Sequence, residues 1–319
     1  MLVREAGKKD YLEMVDVYNS VRPELGMSIQ RMQEKDLTYA SPKFFRRHYV
    51  AKEPGGHIVG VGLLSHTATE FHPKKFDLDI AVHKEWRDRG IGGKLYDAIL
   101  LQSKRLGANT LWAEVRDTFQ ESAVFLLKRG FVERRRKNEY WLALAEFEAD
   151  KFRNWKDNIR RIGVTVLSAK EEKLLSDDWE RRLYDLNIET GYDVPRNEPY
   201  TPPSYEQALL HETRSSTFVP ELCLIAKRGE EYIARTGLVM AGNVPSALVT
   251  TYTCTKKEFR NRGLAVALKA EALERARNMG FLTVTTTNDA LNNFMITVNE
   301  RLGFRKRSVL VKYEKTQFD

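Results

Sequence analysis

The sequence predicts an α/β (α+β) protein built from two tandem copies of one strand-and-helix unit, and three observations carry that prediction. The run Lys84-Glu85-Trp86-Arg87-Asp88-Arg89-Gly90-Ile91-Gly92 returns as Lys257-Glu258-Phe259-Arg260-Asn261-Arg262-Gly263-Leu264-Ala265, 173 residues later. Gly107 maps onto Gly280, and Gly130-Phe131 onto Gly303-Phe304, at the same offset with no gap. Each copy sits between an apolar strand-like run and an amphipathic helix-like run, and 319 residues suit two domains of ordinary size. From average residue usage, one Arg-x-x-Gly-x-Gly/Ala match arises roughly once in a couple of thousand positions, so two in register mark an internal duplication.

The first half is expected to open with a short strand near Leu2 to Arg4 and a helix from about Asp10 to Tyr18, followed by a loop at Arg22-Pro23. Strands then accumulate at His48 to Lys52, Ile58 to Leu64 and Phe76 to Val82, the first two joined across Pro54-Gly55-Gly56, as an antiparallel meander. After Gly90 a helix places Ile91, Leu95, Ala98, Ile99 and Leu106 on one stripe and stops at Gly107. A strand over Thr110 to Val115 and a helix over Glu121 to Lys128 follow. The densest basic run, Arg134-Arg135-Arg136-Lys137, is expected to be a solvated hairpin tip between Phe131-Val132 and Tyr140-Trp141-Leu142.

Between about 146 and 161, Phe147, Phe152, Trp155 and Ile159 recur at near-helical spacing in a charged stretch, which predicts a linking helix whose aromatic stripe packs between the halves. The second half repeats the plan: a strand at Gly163 to Leu167, a helix from about Asp177 to Leu186, then strands at Leu222 to Lys227, Tyr232 to Met240 and Ala247 to Thr255. A helix from Gly263 to Gly280, a strand at Phe281 to Thr287, a helix at Leu291 to Arg301 and a last strand at Ser308 to Tyr313 complete it. The intervening stretch from Asn187 to Pro203, which includes Asn197 and four prolines, predicts a long loop of the kind that often serves function. The implied domains are 1–146 and 162–319, joined by 147–161.

With 42% apolar and 30% charged residues, the composition is that of a globular protein. No run of 18 uncharged apolar residues exists, and the stretch from Leu2 to Asp10 is charged where a signal peptide is apolar, so the expectation is a cytoplasmic protein with no membrane partner. Only Cys223 and Cys254 are present, and the six histidines show no i, i+4 pairing, which argues against a disulfide framework or a metal site. A net charge of +8 attracts anions, but no basic stripe with interleaved aromatics supports a nucleic-acid partner.

A glycine-containing loop that leads from a strand into a helix N-terminus aims unsatisfied backbone N–H groups and the positive end of the helix dipole at one point, which suits a pyrophosphate. Gly90 and Gly92, like Gly263 and Ala265, allow close approach, and Arg87, Arg89, Arg260 and Arg262 add charge. The spacing is neither G-x-G-x-x-G nor a Walker loop.

At these residues both halves resemble the GNAT superfamily of N-acetyltransferases. The second half, through Thr253 to Thr255, Arg260 to Ala265 and Asn288, Asn292, Met295, Asn299 and Leu302-Gly303-Phe304, is similar to the C-terminal half of tandem members of the mycothiol-synthase type. The resemblance implies an acyltransferase with two tandem GNAT domains, each a mixed, mostly antiparallel sheet flanked by helices and split between its fourth and fifth strands, with acetyl-CoA as cosubstrate in the cleft. It implies that Val82 and Thr255 polarise the thioester carbonyl through a backbone N–H. It further implies that Arg87, Arg89, Gly90, Ile91 and Gly92, and Arg260, Arg262, Gly263, Leu264 and Ala265, hold the pyrophosphate. The amine of a small molecule or peptide would attack directly.

Many relatives carry an Asn and, seven residues later, a Tyr that protonates the leaving thiolate. The first half has Phe119 and Leu126 at those places and the second has Asn292 and Asn299. Phe119 and Leu126 cannot hydrogen-bond, so the second half is expected to be catalytic, with Thr255, Asn292 and Asn299 as its working residues, Asn292 also touching CoA, and the loop from Asn187 to Pro203 as a substrate lid. Asp77, Asp79 and Glu114 in the first half, and Tyr252, Thr253, Glu189 and Asp193 in the second, are candidates for the base. The competing reading is a non-catalytic acetyl-CoA-binding regulatory or scaffold protein. The acceptor and the oligomeric state stay open.

Overall fold

The structure, a computed structural model, describes residues 1–196 and 198–316. In chain order the first half runs β1 (Leu2–Glu5), α1 (Tyr11–Val21), α2 (Ile29–Thr38), β2 (Arg46–Lys52), β3 (Ile58–Ser65), β4 (Lys75–Val82), α3 (Ile91–Arg105), β5 (Thr110–Arg116), α4 (Gln120–Leu127) and β6 (Val132–Ala143). The second runs α5 (Arg153–Arg161), β7 (Thr165–Ser168), α6 (Ala169–Glu172), α7 (Trp179–Gly191), α8 (Tyr205–His211), β8 (Phe218–Arg228), β9 (Glu231–Ala241), β10 (Val244–Thr255), α9 (Leu264–Asn278), β11 (Thr283–Asp289), α10 (Asn293–Arg301) and β12 (Arg305–Lys315).

Two compact units form, residues 1–136 with 196–201 and 309–319, and residues 137–195 with 202–308. These differ from the expected 1–146 and 162–319 because the last strand of each copy joins the other copy's unit. In the first unit the strand order is β1-β2-β3-β4-β5-β12. The pairings are antiparallel except β4 with β5. In the second unit the order is β6-β11-β10-β9-β8-β7. Here only β10 and β11 are parallel. Each unit is thus a mixed, mostly antiparallel sheet flanked by helices. A repeat in sequence marks homologous blocks, whereas the sheet that an edge strand completes is a long-range pairing decision.

The parallel pairs set up the clefts. β4 and β5 are in register only over Lys75–Asp77 against Thr110–Trp112. β10 and β11 are in register only over Ala247–Val249 against Thr283–Thr285. Beyond those three residues the strands part, leaving 78–82 and 250–255 to border a gap.

Helix α3 lies close against β3 because Gly60 and Gly62 carry no side chain: a Cβ there would come within 2.8 Å of Ile91 Cγ2 and 2.9 Å of Ile99 Cδ1. Leu95 and Ile99 are thereby buried with Leu64, Phe76, Leu78 and Leu111. On the other face, Met14 and Val17 of α1 pack on Val50, Val61 and Ala81. Each such side chain contributes roughly 1.5–3 kcal/mol when fully buried. In the second unit Leu264, Leu268 and Leu273 cover Leu224, Ile233, Leu248 and Val284. Trp179, Leu183 and Leu186 cover the opposite face at Cys223, Ile225 and Tyr232.

Four expectations change. Helix α2 has no apolar stripe, burying Met32 and little else, and its sequence signal is the Ser28 N-cap, whose Oγ accepts from the Arg31 N–H at 3.1 Å. Helix α8 likewise announces itself only by a capping box, Ser204 with Gln207. The run from Arg134 to Lys137 is not a hairpin tip but part of the unbroken strand β6. It holds no turn-forming residue; Arg134 pairs with Glu314 of β12 and Arg136 with Glu133 of its own strand. Phe147, Phe152 and Ile159 of the linking segment join the core of the second unit, not a face between halves.

The stretch from Asn187 to Pro203, expected as a lid over the second half, is divided between the two units. Its first residues are the last turn of α7. Residues 196–201 belong to the first unit, where Thr201 N–H donates to the Thr69 carbonyl at 2.9 Å and Glu198 pairs with Lys75. Asn197 lies outside the described residues.

Candidate functional site

Both copies of the duplicated loop adopt one backbone path. Arg87 and Arg260 are extended (φ −65° and −67°) and cap a short 3-10 turn. Asp88 and Asn261 follow in the left-handed region (φ 61° and 60°), as do Gly90 and Gly263 (φ 74° and 79°). Asp and Asn tolerate that region better than other side chains, which explains both substitution pairs. α3 and α9 begin at the next residue, so their first N–H groups lack intrahelical partners and face the concave side of the loop. Ile91 and Leu264 are core residues that offer only their backbone.

The gap beyond the paired segments receives one backbone donor from each fourth strand. His83 N–H donates to the Val59 carbonyl at 3.0 Å, so strand alternation turns the Val82 N–H the other way, toward the β4–β5 gap. Lys256 N–H bonds the Ile233 carbonyl at 2.9 Å, and Thr255 is turned toward the β10–β11 gap in the same manner. At Gly92 a Cβ would lie 3.5 Å from Phe125 Cε2 and 3.8 Å from Val82 Cγ2, so a small residue keeps the route from loop to gap open. Arg129, which the sequence reading missed, stacks on Phe125 with its guanidinium 3.5 Å from the ring centre and reaches the loop beside Gly93.

The surroundings of the two loops differ sharply. Around Gly90 nothing lies within 4 Å of a would-be Cβ, and among the described residues the Arg87 side chain makes no hydrogen bond or ion pair. Around Gly263 the indole of Trp155, from α5, lies where a Cβ would be, 2.1 Å from Cε3. Trp155 is held there by Arg301 of α10, whose guanidinium is 5.5 Å from the ring centre, while its neighbour Lys156 bonds Glu271 and Glu274 of α9. Arg260 is also engaged: its Nε donates to the Thr255 carbonyl at 3.0 Å and its Nη2 pairs with Asp193. Arg262 donates to the Glu258 carbonyl at 3.0 Å. The residues of the first loop fit a pyrophosphate; those of the second are covered or neutralised.

Asn292 and Asn299, expected to work chemically, each make a bond within the fold, while the Asn299 Oδ1 is buried with no hydrogen-bond partner among the described residues. The Asn292 Oδ1 caps α10 by accepting from the Met295 N–H at 3.2 Å. Asn299 is 0% exposed and its Nδ2 donates to Asn288 Oδ1 at 2.5 Å, tying α10 to β11. Of their counterparts, Leu126 is buried in the first core, and Phe119 stands at the start of α4 without a side-chain cap. Among the second half's base candidates, Tyr252 bonds Thr190, Thr253 bonds Thr236, and Glu189 and Asp193 pair with Lys256 and Arg260.

On the α1–α2 side of the first sheet, alternate residues 46, 48 and 50 of β2, 61 and 63 of β3 and 79 and 81 of β4 share one face. The Val50, Val61 and Ala81 end is core, and the Arg46, His48, Leu63 and Asp79 end lines a cavity of about 120 Å³. Arg22 grips Asp79 with two bonds of 2.5 and 3.1 Å, and Arg46 bonds Asp36 at 2.8 Å. Burial would raise the Asp79 carboxyl, but the Arg22 charge and its hydrogen bonds outweigh that and leave it below the usual range. Burial, with help from Arg46, pushes the His48 imidazole down to about 4, so it is neutral at pH 7. Asp79 was a candidate in the sequence; His48 and Lys35 were not, although polar residues alternating with Val50 in a strand were a usable sign. The corresponding face of the second sheet is filled by Arg235, 1% exposed, paired with Glu212 and 3.4 Å from Asn187. Cys223 and Cys254 beside it are pushed up to about 11 by burial and stay protonated.

Among the described residues no cluster of three or more His, Cys, Asp or Glu side chains could hold a metal ion, and no helix is long and apolar enough to cross a membrane.

Comparison with known proteins gives a consistent result. The model of the acetyltransferase (GNAT) family matches residues 14–131 and 180–304. No curated protein matches the chain in sequence. Among solved structures, a tandem GNAT protein from the clavulanic acid biosynthesis pathway is similar over 98% of each chain, with 18% identity and a TM-score of 0.74. A GCN5-related N-acetyltransferase from Sphaerobacter thermophilus is similar over 98% of this chain and 95% of its own, with 16% identity and a TM-score of 0.68. A glucosamine N-acetyltransferase region of a fungal multi-domain β-N-acetylglucosaminidase aligns over 98% of this chain and 38% of its own, with 14% identity and a TM-score of 0.69. The two stretches that match the family model each contain one copy of the duplicated loop and together span most of the chain, which therefore belongs to the GNAT acetyltransferase family.

Proposed function

We propose that this protein moves an acetyl group from acetyl-CoA to the amine of a small molecule or peptide, and that the first unit does the chemistry. The observation that carries this reading is the contrast between Gly90, open beside an unpaired Arg87, and Gly263, covered by Trp155. It reverses the preference for the second half, whose two asparagines have structural duties. We take 1–146 and 162–319 as the duplicated copies and 147–161 as the linker that came to cap the second loop.

Arg87, Arg89, Arg129 and the N–H groups opening α3 would hold the pyrophosphate, Gly92 would let the chain of the cosubstrate pass, and the Val82 N–H would donate to the carbonyl oxygen. Bound acetyl-CoA supplies the thioester. The ammonium gives up a proton to become the attacking amine. The amine nitrogen then bonds to the acetyl carbon as the carbon–sulfur bond breaks. Of the two protons that the ammonium gives up, one goes to solvent and the other ends on the released thiol. The buried Cys254 thiol is unsuited to a covalent route.

Titration calorimetry with acetyl-CoA tests the assignment. The wild type is expected to bind one equivalent, and Gly90→Glu, which puts a carboxylate on the loop, is expected to lose binding while staying folded. Binding that survives Gly90→Glu but is lost in Gly263→Glu would return the site to the second half.

A further inference from the structure

The α1–α2 cavity of the first unit has a charge balance that selects its ligand. Two of its three cations are already compensated, Arg22 by Asp79 and Arg46 by Asp36. The third, Lys35, makes no ion pair or hydrogen bond among the described residues. His48, 8% exposed, lines the same space with an imidazole that has no hydrogen-bond partner among the described residues, and it is neutral. The lining therefore holds one uncompensated positive charge and one unpartnered neutral polar ring. Between them, Met27, Met32 and Leu63 supply an apolar wall.

We infer that the acceptor is a small amino carboxylate, an amine whose carboxylate pairs with Lys35 and whose short carbon chain lies on Met27, Met32 and Leu63. The inference rests on the first unit being the transferase. One carboxylate balances the one free charge. A polyamine or a lysine side chain within a peptide would bring further positive charge into a space that already holds an unpaired ammonium. The spacing also fits. Asp79 lies three residues before Val82, about 10 Å along β4 at an ordinary strand rise, so an amine directed to the gap leaves room for a short chain reaching back to Lys35.

The test uses matched pairs that differ only in the carboxylate: 4-aminobutanoate, 5-aminopentanoate and 6-aminohexanoate, each compared with its amide. Free thiol released from acetyl-CoA is followed with the full-length protein. Within at least one pair, kcat/KM is expected to favour the carboxylate by about tenfold to a hundredfold, the size of one charge-assisted bond in a partly desolvated site. Lys35→Met should bring that ratio near one by raising KM for the carboxylate alone, and Lys35→Arg should keep most of it. Equal or better use of the amides by the wild type, or a ratio untouched by Lys35→Met, overturns the assignment. So does a protein that binds acetyl-CoA in calorimetry yet acetylates no member of any pair; in that case the transferase reading survives and the acceptor class falls. Failure to bind acetyl-CoA at all removes the transferase reading and this inference with it.

Discussion

The two copies of the loop, Arg87–Gly92 and Arg260–Ala265, share their backbone and differ in what surrounds them. Both place Asp88 or Asn261, and Gly90 or Gly263, in the left-handed region and start a helix at the next residue. One is open to solvent, while the other has an indole on its glycine and an aspartate on its arginine. A motif therefore specifies a shape and not its availability. Duplication copied the loop geometry, and a residue outside the motif, Trp155, covers one copy and not the other.

The sharpest way to break this comparison is charge reversal in each loop at a residue whose backbone is extended and unstrained. Arg87→Glu is expected to weaken acetyl-CoA binding by about a hundredfold, the combined effect of a lost cation and an added anion, and to abolish measurable turnover. Arg260→Glu is expected to change affinity by less than about twofold, because Arg260 is already spoken for by Asp193 and the Thr255 carbonyl. Equal effects in calorimetry would mean that both loops are in use.

Trp155→Ala sharpens the same contrast from the other side. Removing the indole uncovers Gly263, and the number of acetyl-CoA equivalents bound should rise from one to two. The half-buried indole leaves behind a cost of about 2 kcal/mol in folding stability, within the range for large-to-small changes. A stoichiometry that stays at one in the folded variant would show that the second loop lacks affinity for a reason other than cover.

The faces away from α3 and α9 offer a pH contrast. His48 titrates near 4 in the folded protein, against about 6.5 when unfolded. Its neutral form is the native one, so its contribution is whole above pH 6.5 and is lost as pH falls toward 4, amounting to up to about 3 kcal/mol. Denaturant midpoints measured across that window should fall with acid in the wild type and fall less steeply in His48→Gln. The second unit has Arg235 and Glu212 in the comparable place and no histidine to titrate.

Smaller effects separate structure from chemistry in the second unit. Asn299→Leu removes the bond to Asn288 and should lower stability by about 1–3 kcal/mol, the cost of leaving a buried polar group unpaired, with kcat at permissive temperature within about twofold of wild type. A loss of turnover beyond that would restore Asn299 to a chemical role. Cys254→Ala should leave turnover unchanged within the error of the assay, since the thiol is buried and protonated; an acetyl group trapped on Cys254 would contradict direct transfer.

Much of this architecture was legible in the chain. Gly90 and Gly263, the apolar stripe of Ile91, Leu95 and Ile99, and the alternation along β3 and β4 are local signals, because helix and strand periods and left-handed glycines depend on neighbours within a few residues. Helices α2 and α8 were less so: α2 shows no apolar stripe and α8 is only two turns long, leaving caps as their main sign. The family's fold and its cosubstrate class followed from the motif for the same local reason.

What the chain by itself determined, then, was that one strand–loop–helix unit occurs twice within an α/β framework. Three matters were decided only in three dimensions: that β6 and β12 complete each other's units, that Trp155 covers Gly263, and that Lys35, His48 and Asp79 meet in one cavity. Each depends on contacts between residues tens to hundreds of positions apart, where sequence carries no period or spacing to read. Their energies come from burial and charge balance in the folded state, and no local pattern encodes which of two loops of one backbone shape will be left open.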